Sequence, residues 1–264
     1  MITSRDNSLL RRVRAVRDGK IDDLIFVEGL RLCAEVLRSS LPIEAVVYSE
    51  EIARKEKAKQ LLNELNDLCG RLVSVSETLL ASISYTKTPQ GIIVLAARPE
   101  MDEAKFTARQ PATPLLVVMH GINNPVNVGA IVRTAEAAGA TGAITTGNST
   151  DPFSPKALRG AMGSAFRLPI WIEATYADVL GWCEERGIET VCADVQGSTL
   201  YTDIDWTGPS ALIVGPESTG LTTAEISLAN TVVKIPMHGQ VESLNVAMAA
   251  SIVLYEAARQ RAAK

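Results

Sequence analysis

Ile235-Pro-Met-His-Gly-Gln-Val-Glu-Ser-Leu-Asn245 is the stretch on which the reading of the fold turns. A short apolar strand, Val232 to Ile235, runs into Pro236, and a loop through Gly239 follows. Ser243-Leu244-Asn245 then opens an apolar run to Leu254, in which Val246, Ala250, Val253 and Ala257 recur at helical spacing. Ser243 suits the N-cap, where a hydroxyl accepts an otherwise orphaned backbone N–H. The loop therefore lies between a strand end and a helix start, where open α/β sheets hold ligands. Taken alone, the same residues also describe an ordinary strand-to-helix turn.

Upstream, the same alternation repeats. Leu115 to Met119 is a run suited to a buried strand. In the following Asn124-Pro-Val-Asn127-Val-Gly-Ala-Ile-Val-Arg133, Pro125 fits the first position of a helix and Asn124 its cap. Gly129, Ala130 and Ala137 share the helical face of Arg133, which leaves room for a ligand or another backbone to approach; a pairing of Arg133 with Glu136 at i+3 is the alternative. Residues 142–146, 170–173, 189–194 and 210–214 read as further strands, and Tyr176 to Arg186 as a helix. A short helix is expected from Lys156 to Met162, with Lys156 and Arg159 as phosphate ligands or plain exposed charges. Glu217 sits at the tip of a Gly-rich turn, Gly215 to Gly220, where its carboxylate either favours the next helix start or binds a hydroxyl or cation.

Residues 98–114 are polar, hold three prolines, and read as a linker. Before them, strands at 24–27, 43–48, 71–75 and 91–96 alternate with helices at 28–37, 50–68 and 77–83, the pattern of a small α/β unit. At the N-terminus Arg5, Arg11, Arg12, Arg14, Arg17 and Lys20 surround Leu9, Leu10, Val13 and Val16, as in a basic amphipathic helix. Such guanidinium groups fork onto phosphates and position RNA without reading its sequence; a solvated helix face is the plainer reading.

The bulk numbers narrow the classes. The 264 residues are 47% hydrophobic, enough for one large or two smaller globular domains. No apolar run has the length of a membrane span, and the first residues lack the apolar core of a secretory signal. Cys33, Cys69, Cys183 and Cys192 form no CxxC pair, so they are expected as buried thiols in a reducing, cytoplasmic setting. Two histidines argue against a histidine-rich metal site, and no metal is expected. The net charge of −4 is uneven: residues 1–110 carry 17 basic against 16 acidic side chains, and residues 111–264 carry 9 against 14. A nucleic-acid partner would thus be gripped by the first part. Neither unit has GxGxxG after its first strand, which argues against a nicotinamide oxidoreductase and a Rossmann-type methyltransferase.

Together, Asn124 to Arg133, Ile213-Val-Gly-Pro-Glu-Ser-Thr-Gly220 and Ile235 to Val246 resemble, in order and spacing, the three motifs of the SpoU/TrmH family of SPOUT methyltransferases. Phe26-Val-Glu-Gly29 and its surroundings look like that family's L30e-like substrate-binding domain. The resemblance implies an L30e-like α/β domain over 1–97, a linker over 98–114, and over 115–264 a parallel-sheet SPOUT domain whose chain end forms a deep trefoil knot. It implies S-adenosylmethionine against Gly215, Ile235 and Leu244, with Ile213 and Met237 alongside, and Arg133, Asn127, Glu217, Ser243 and Asn245 as polar site residues. It further implies a homodimer with the site at the subunit interface and methylation of a ribose 2′-hydroxyl, while the charge pattern makes Arg11, Arg12, Arg14, Lys156 and Arg159 the expected RNA contacts. Ribosomal RNA is favoured over tRNA, and a non-catalytic RNA-binding relative is the competing class. Arginine is a poor base, so the role expected for Arg133 is to stabilise the developing alkoxide.

Overall fold

The computed structural model describes residues 2–263 and divides into two compact units. The first comprises Met1–Glu100 with Phe153–Arg167, the second Met101–Pro152 with Leu168–Lys264.

The first unit opens with α1 (Ser8–Arg17), whose Leu9, Leu10, Val13 and Val16 are buried as the pattern predicts. It continues through β1 (Leu24–Glu28), α2 (Leu30–Arg38), β2 (Ile43–Ser49), α3 (Glu56–Asn66), β3 (Leu72–Val75), α4 (Glu77–Ile83) and β4 (Ile92–Ala97). The sheet order is β1-β4-β2-β3, with β4 antiparallel to both neighbours and β2 parallel to β3. The helix expected over 50–68 is interrupted: a 3-10 turn spans Ile52–Arg54, and Lys55 is extended before α3 begins. Glu28 organises this unit. Its buried carboxylate accepts from the Ser84 hydroxyl, from the Tyr85, Thr86 and Gln90 backbone N–H groups, and from Thr86 Oγ1 at 2.9 Å. One side chain thereby gathers five donors from the 84–90 turn, the compensation a buried carboxylate requires.

The second unit begins inside the expected linker. Its α5 (Glu103–Ala108) forms there because Phe106 is fully buried against Trp171 and Trp182, at centroid distances of 5.9 and 5.7 Å. Gly142 makes room for that ring, since a Cβ there would lie 2.6 Å from it. Then follow β5 (Leu115–His120), α6 (Pro125–Ala137) and β6 (Gly142–Thr146). The chain next contributes α7 (Pro155–Ala161) and α8 (Ser164–Arg167) to the first unit, where Arg167 pairs with Glu35. It returns as β7 (Ile170–Ala174), α9 (Tyr176–Glu185), β8 (Glu189–Ala193), β9 (Thr199–Leu200), β10 (Ser210–Val214), α10 (Thr223–Ser227), β11 (Thr231–Lys234) and α11 (Val246–Ala262). The order β7-β6-β5-β10-β8-β11-β9 is parallel at every pairing. Helices cover such a sheet on both faces, so its central strands are apolar throughout; β10 is buried along its length.

The far end of α11 is tied down. Arg261 donates to the carbonyls of Thr113, Pro114, Trp206 and Gly208, and Gln260 bonds the Trp206 N–H and the Ile204 carbonyl. Cys183 and Cys192 are buried free thiols, and burial pushes both up to about 12, so they stay protonated at neutral pH. Cys69 is only partly buried, contrary to the expectation of four buried thiols, because it lies in the turn before β3.

Candidate active site

In the second unit the carboxyl ends of β5, β10, β8 and β11 gather at one edge of the sheet, and the strand order reverses direction between β5 and β10. Open α/β sheets bind ligands at such a switch point. The loop after β5 meets the loop after β10 closely: a Cβ on Gly121 would lie 3.0 Å from the Pro216 ring. Gly215 is equally constrained, for a Cβ there would sit 2.6 Å from Leu221 Cγ and 3.0 Å from its backbone nitrogen. The space behind these loops is a cavity of ≈ 340 Å³, walled by 193–196, 214–221, Val233, Ile235, Met237 and the start of α11. A second, open cavity adjoins it, lined by Asn123, Asn124, Asn127, Glu217, Ser243, Leu244, Asn245 and Val246. Glu217, Ser243, Leu244 and Val246 line both.

A chain of hydrogen bonds joins the three motifs there. Asn127 Nδ2 donates to Glu217 Oε1 at 2.8 Å, and Asn245 Nδ2 donates to Asn127 Oδ1 at 3.2 Å. Asn245 Oδ1 in turn accepts from the backbone N–H groups of Ala247 and Met248, capping α11. The carboxylate at one end accepts only and the helix N–H groups at the other donate only, so both amide orientations between them are determined. Asn127 is buried, and this chain is what satisfies it.

Helix α6 starts as read from sequence, with Asn124 accepting from the Val126 N–H and Pro125 in the first turn. The start of α11 differs. Asn245, not Ser243, is the cap; both types suit that position, and the bond from Asn245 to Asn127 fixes which one occupies it. Ser243 lines both cavities instead. Gly215, Ile235, Met237 and Leu244 line the inner cavity. Ile213 does not. It is fully buried in the core with Leu116, Val118 and Ile144, because β10 is covered on both faces, and Val214 takes its place in the wall.

Arg133 lies outside the constellation. It is exposed on α6, six residues beyond Asn127, which turns it away from that residue's face. It lines neither cavity and makes no ion pair with Glu136. Of the basic residues in the first unit, Arg12 forms a two-pronged pair with Glu44 and Arg14 donates to the Arg5 carbonyl, so both serve the fold. Arg11 and Lys156 are exposed, and Arg159 lines a cleft of ≈ 590 Å³ together with Arg31 and Lys55.

The sequence reading passed over two groups. Asp194 and Gln196 line the inner cavity just past β8, and an acidic residue directly after an apolar strand was the available signal. Behind α10, His120 bridges Thr146 Oγ1 at 2.7 Å and Glu225 Oε1 at 3.0 Å, with the Tyr176 ring packed against it at a tilt of 51°. The Thr222 backbone N–H, then the Thr222 hydroxyl and His120, hold the Glu225 carboxyl below the usual carboxylate range. This bracket fixes α10, whose Thr223 and Ile226 form part of the cavity wall.

The model of the SpoU rRNA methylase family matches residues 114–255, more than half of the chain. The chain belongs to the SpoU rRNA methylase family. Residues 10–94 match the MRM3-like substrate binding domain. Among relatives of this SpoU protein, the 23S rRNA (uridine(2479)-2′-O)-methyltransferase of Streptomyces viridochromogenes is 30% identical over 240 residues, covering 89% of this chain and 82% of the relative. The 23S rRNA (guanosine-2′-O-)-methyltransferase RlmB of Coxiella burnetii is 29% identical over 241 residues, covering 90% and 96%. The crystal structure of the SpoU methyltransferase AviRb from Streptomyces viridochromogenes, in complex with the cofactor AdoMet, superposes with a TM-score of 0.86 at 28% identity over 97% of this chain and 98% of that one.

Proposed function

We propose that this SpoU-family protein methylates a ribose 2′-hydroxyl of ribosomal RNA with S-adenosylmethionine as donor. The observation that carries the proposal is the Asn245–Asn127–Glu217 chain at the mouth of a cavity walled by the family's own motifs. Two relatives that align over 82% and 96% of their own length are named for that reaction on 23S rRNA. The inner cavity fits the donor. Its volume of ≈ 340 Å³ falls in the range of roughly 300–1,000 Å³ typical of small-molecule sites. Its wall combines apolar side chains with Asp194 and Glu217 and contains no lysine or arginine, which suits a cationic ligand.

When bound, the donor supplies an electrophilic methyl group on a sulfonium. The protein's part is alignment and charge. Gly215, Ile235 and Leu244 hold the donor through their loops, while Glu217, Ser243 and Leu244 border both cavities and so mark where donor and ribose meet. The Asn127–Glu217 bond holds the wall of the outer cavity in one geometry. Fixing two reactants in line contributes up to roughly 7–11 kcal/mol in well-oriented systems. The 2′-oxygen gains negative charge as it attacks, and its proton passes to a substrate phosphate or to water as the donor leaves as the neutral thioether. A guanidinium presented to that oxygen stabilises it without accepting the proton, and this role falls to Arg133.

Arg133 stands on an outward stripe of α6 with Val126, Ala130 and Ala137, and Val126 is 46% exposed. On α11, joined to α6 by the Ser251–Thr134 hydroxyl bond, Met248, Ile252 and Tyr255 form a second outward stripe, exposed by 62, 36 and 54%. An arginine amid so much uncovered apolar surface calls for a partner, since such patches mark interfaces. The proposed occupant is a second copy of this chain, with the site completed at the interface and the chain end knotted as in the family. Sedimentation is expected to give a dimer at micromolar concentration, and Tyr255→Arg a monomer. A wild-type monomer would remove the dimeric site. The first unit is the proposed RNA grip, with Arg11, Lys156 and the Arg31–Lys55–Arg159 cleft as its exposed cations.

The deciding experiment supplies labelled S-adenosylmethionine with ribosomal RNA from cells lacking the protein, with tRNA, and with a DNA oligomer. Label is expected in an alkali-resistant dinucleotide of the ribosomal RNA and not in DNA, which has no 2′-hydroxyl. Donor binding without transfer to any RNA would instead make the chain a non-catalytic binder.

A further inference from the structure

Asp194 follows β8 and sits between the ends of β10 and β11, with its backbone N–H bonded to the Val233 carbonyl at 2.9 Å. Its Oδ1 accepts from the Gln196 N–H at 2.8 Å, which fixes the carboxylate plane. Its Oδ2 has no hydrogen-bond partner among the described residues and lies 3.7 Å from where a Cβ on Gly220 would project. The carboxylate therefore presents one free oxygen in the inner cavity, with no cation in the wall to neutralise it. Its position along the cavity is also defined. Glu217, Ser243 and Leu244 border the outer cavity, whereas Asp194 lines the inner one only, so it lies away from the end where the methyl group must emerge.

Resting on the donor reading above, we propose that Asp194 is the cofactor-selecting residue, whose free oxygen accepts hydrogen bonds from the ribose diol of the donor's adenosine. The chemistry follows from what the donor offers away from its methyl group. The amino-acid carboxylate would be repelled by Asp194, and the ammonium, itself a donor, belongs to the arm on the same sulfonium as the methyl group, at the end Asp194 does not border. In adenine the ring nitrogens accept and the 6-amino group is a single donor. Two adjacent hydroxyl donors match an acceptor held in a fixed plane, as at the acidic strand ends that bind ribose in other α/β sheets. The occupant is thereby a ribonucleoside: a 2′- or 3′-deoxy counterpart leaves a carboxylate oxygen desolvated and unpaired, which is costly.

The test measures binding by titration calorimetry, without turnover, using S-adenosylhomocysteine and its 2′-deoxy and 3′-deoxy counterparts. Wild-type protein is expected to bind at least one deoxy compound about tenfold or more weakly. Asp194→Ala and Asp194→Asn are expected to lose affinity for S-adenosylhomocysteine by a similar factor and to treat the ribo and deoxy compounds alike. Asp194→Asn keeps an oxygen for the Gln196 N–H, so a merely structural Asp194 would leave that variant discriminating as wild type does, which would overturn the proposal. Undiminished discrimination in Asp194→Ala would overturn it too. Equal binding of all three compounds by wild type sinks the diol assignment while sparing the donor reading, and failure of wild type to bind S-adenosylhomocysteine at all sinks both. Thermal melting of each variant identifies any that fail to fold.

Discussion

Arg133→Ala is expected to slow methyl transfer to RNA by about a hundredfold or more, while affinity for S-adenosylmethionine stays within about twofold. The split follows from geometry. Arg133 lines neither cavity of its own chain, so it adds nothing to the wall that holds the donor. It projects from the outward stripe of α6, where removing a side chain opens no core. In the proposed reaction its contribution is therefore confined to the charge that develops on the ribose oxygen. Single-turnover rates together with calorimetric donor affinity check the split. Arg133→Lys separates charge from shape: a variant keeping near-full turnover would show that a point charge suffices and that the planar fork is dispensable. A loss of donor affinity as large as the loss of rate would move Arg133 from the ribose to the donor site.

Asn127→Asp is the sharper test of the hydrogen-bonded chain. The substitution is nearly isosteric, yet it replaces the amide that donates to Glu217 Oε1 at 2.8 Å with a second carboxylate oxygen. Two carboxylates at that distance repel and cannot both stay ionised without disrupting the site, so activity at pH 8 is expected to fall about a hundredfold. Lower pH should restore part of it. Below the raised pKa of the pair, one carboxyl carries a proton and can donate where the amide did; above it, both are charged and the contact opens. A pH–rate profile that rises toward acid in the variant, measured against wild type, checks the assignment. A variant with wild-type activity at pH 8 would mean that the chain does not order the site.

What could be read from sequence was what is decided locally. Asn124 and Pro125 place the start of α6 within two residues of chain, and Leu9, Leu10, Val13 and Val16 set the buried face of α1. Short-range chemistry failed where distant contacts choose between equal candidates. Ser243 and Asn245 both make good caps, and the choice rests on a bond from Asn245 to a residue 118 positions earlier. The bond between Asn127 and Glu217 spans 90 positions, so no spacing rule discloses it. Helix α5 escaped notice because a single aromatic, Phe106, holds a six-residue segment that is otherwise polar. The setting of Arg133 is a related case: its small neighbours leave room on that face of α6, but one chain by itself does not supply what fills it.

Asn245 serves two masters, because the side chain that terminates the backbone of α11 also orders Asn127. Fraying of the first turn of that helix and loss of alignment at the reaction centre are consequently the same event. Solvent exchange at the Ala247 and Met248 amides would then report how often the resting protein stands ready to react.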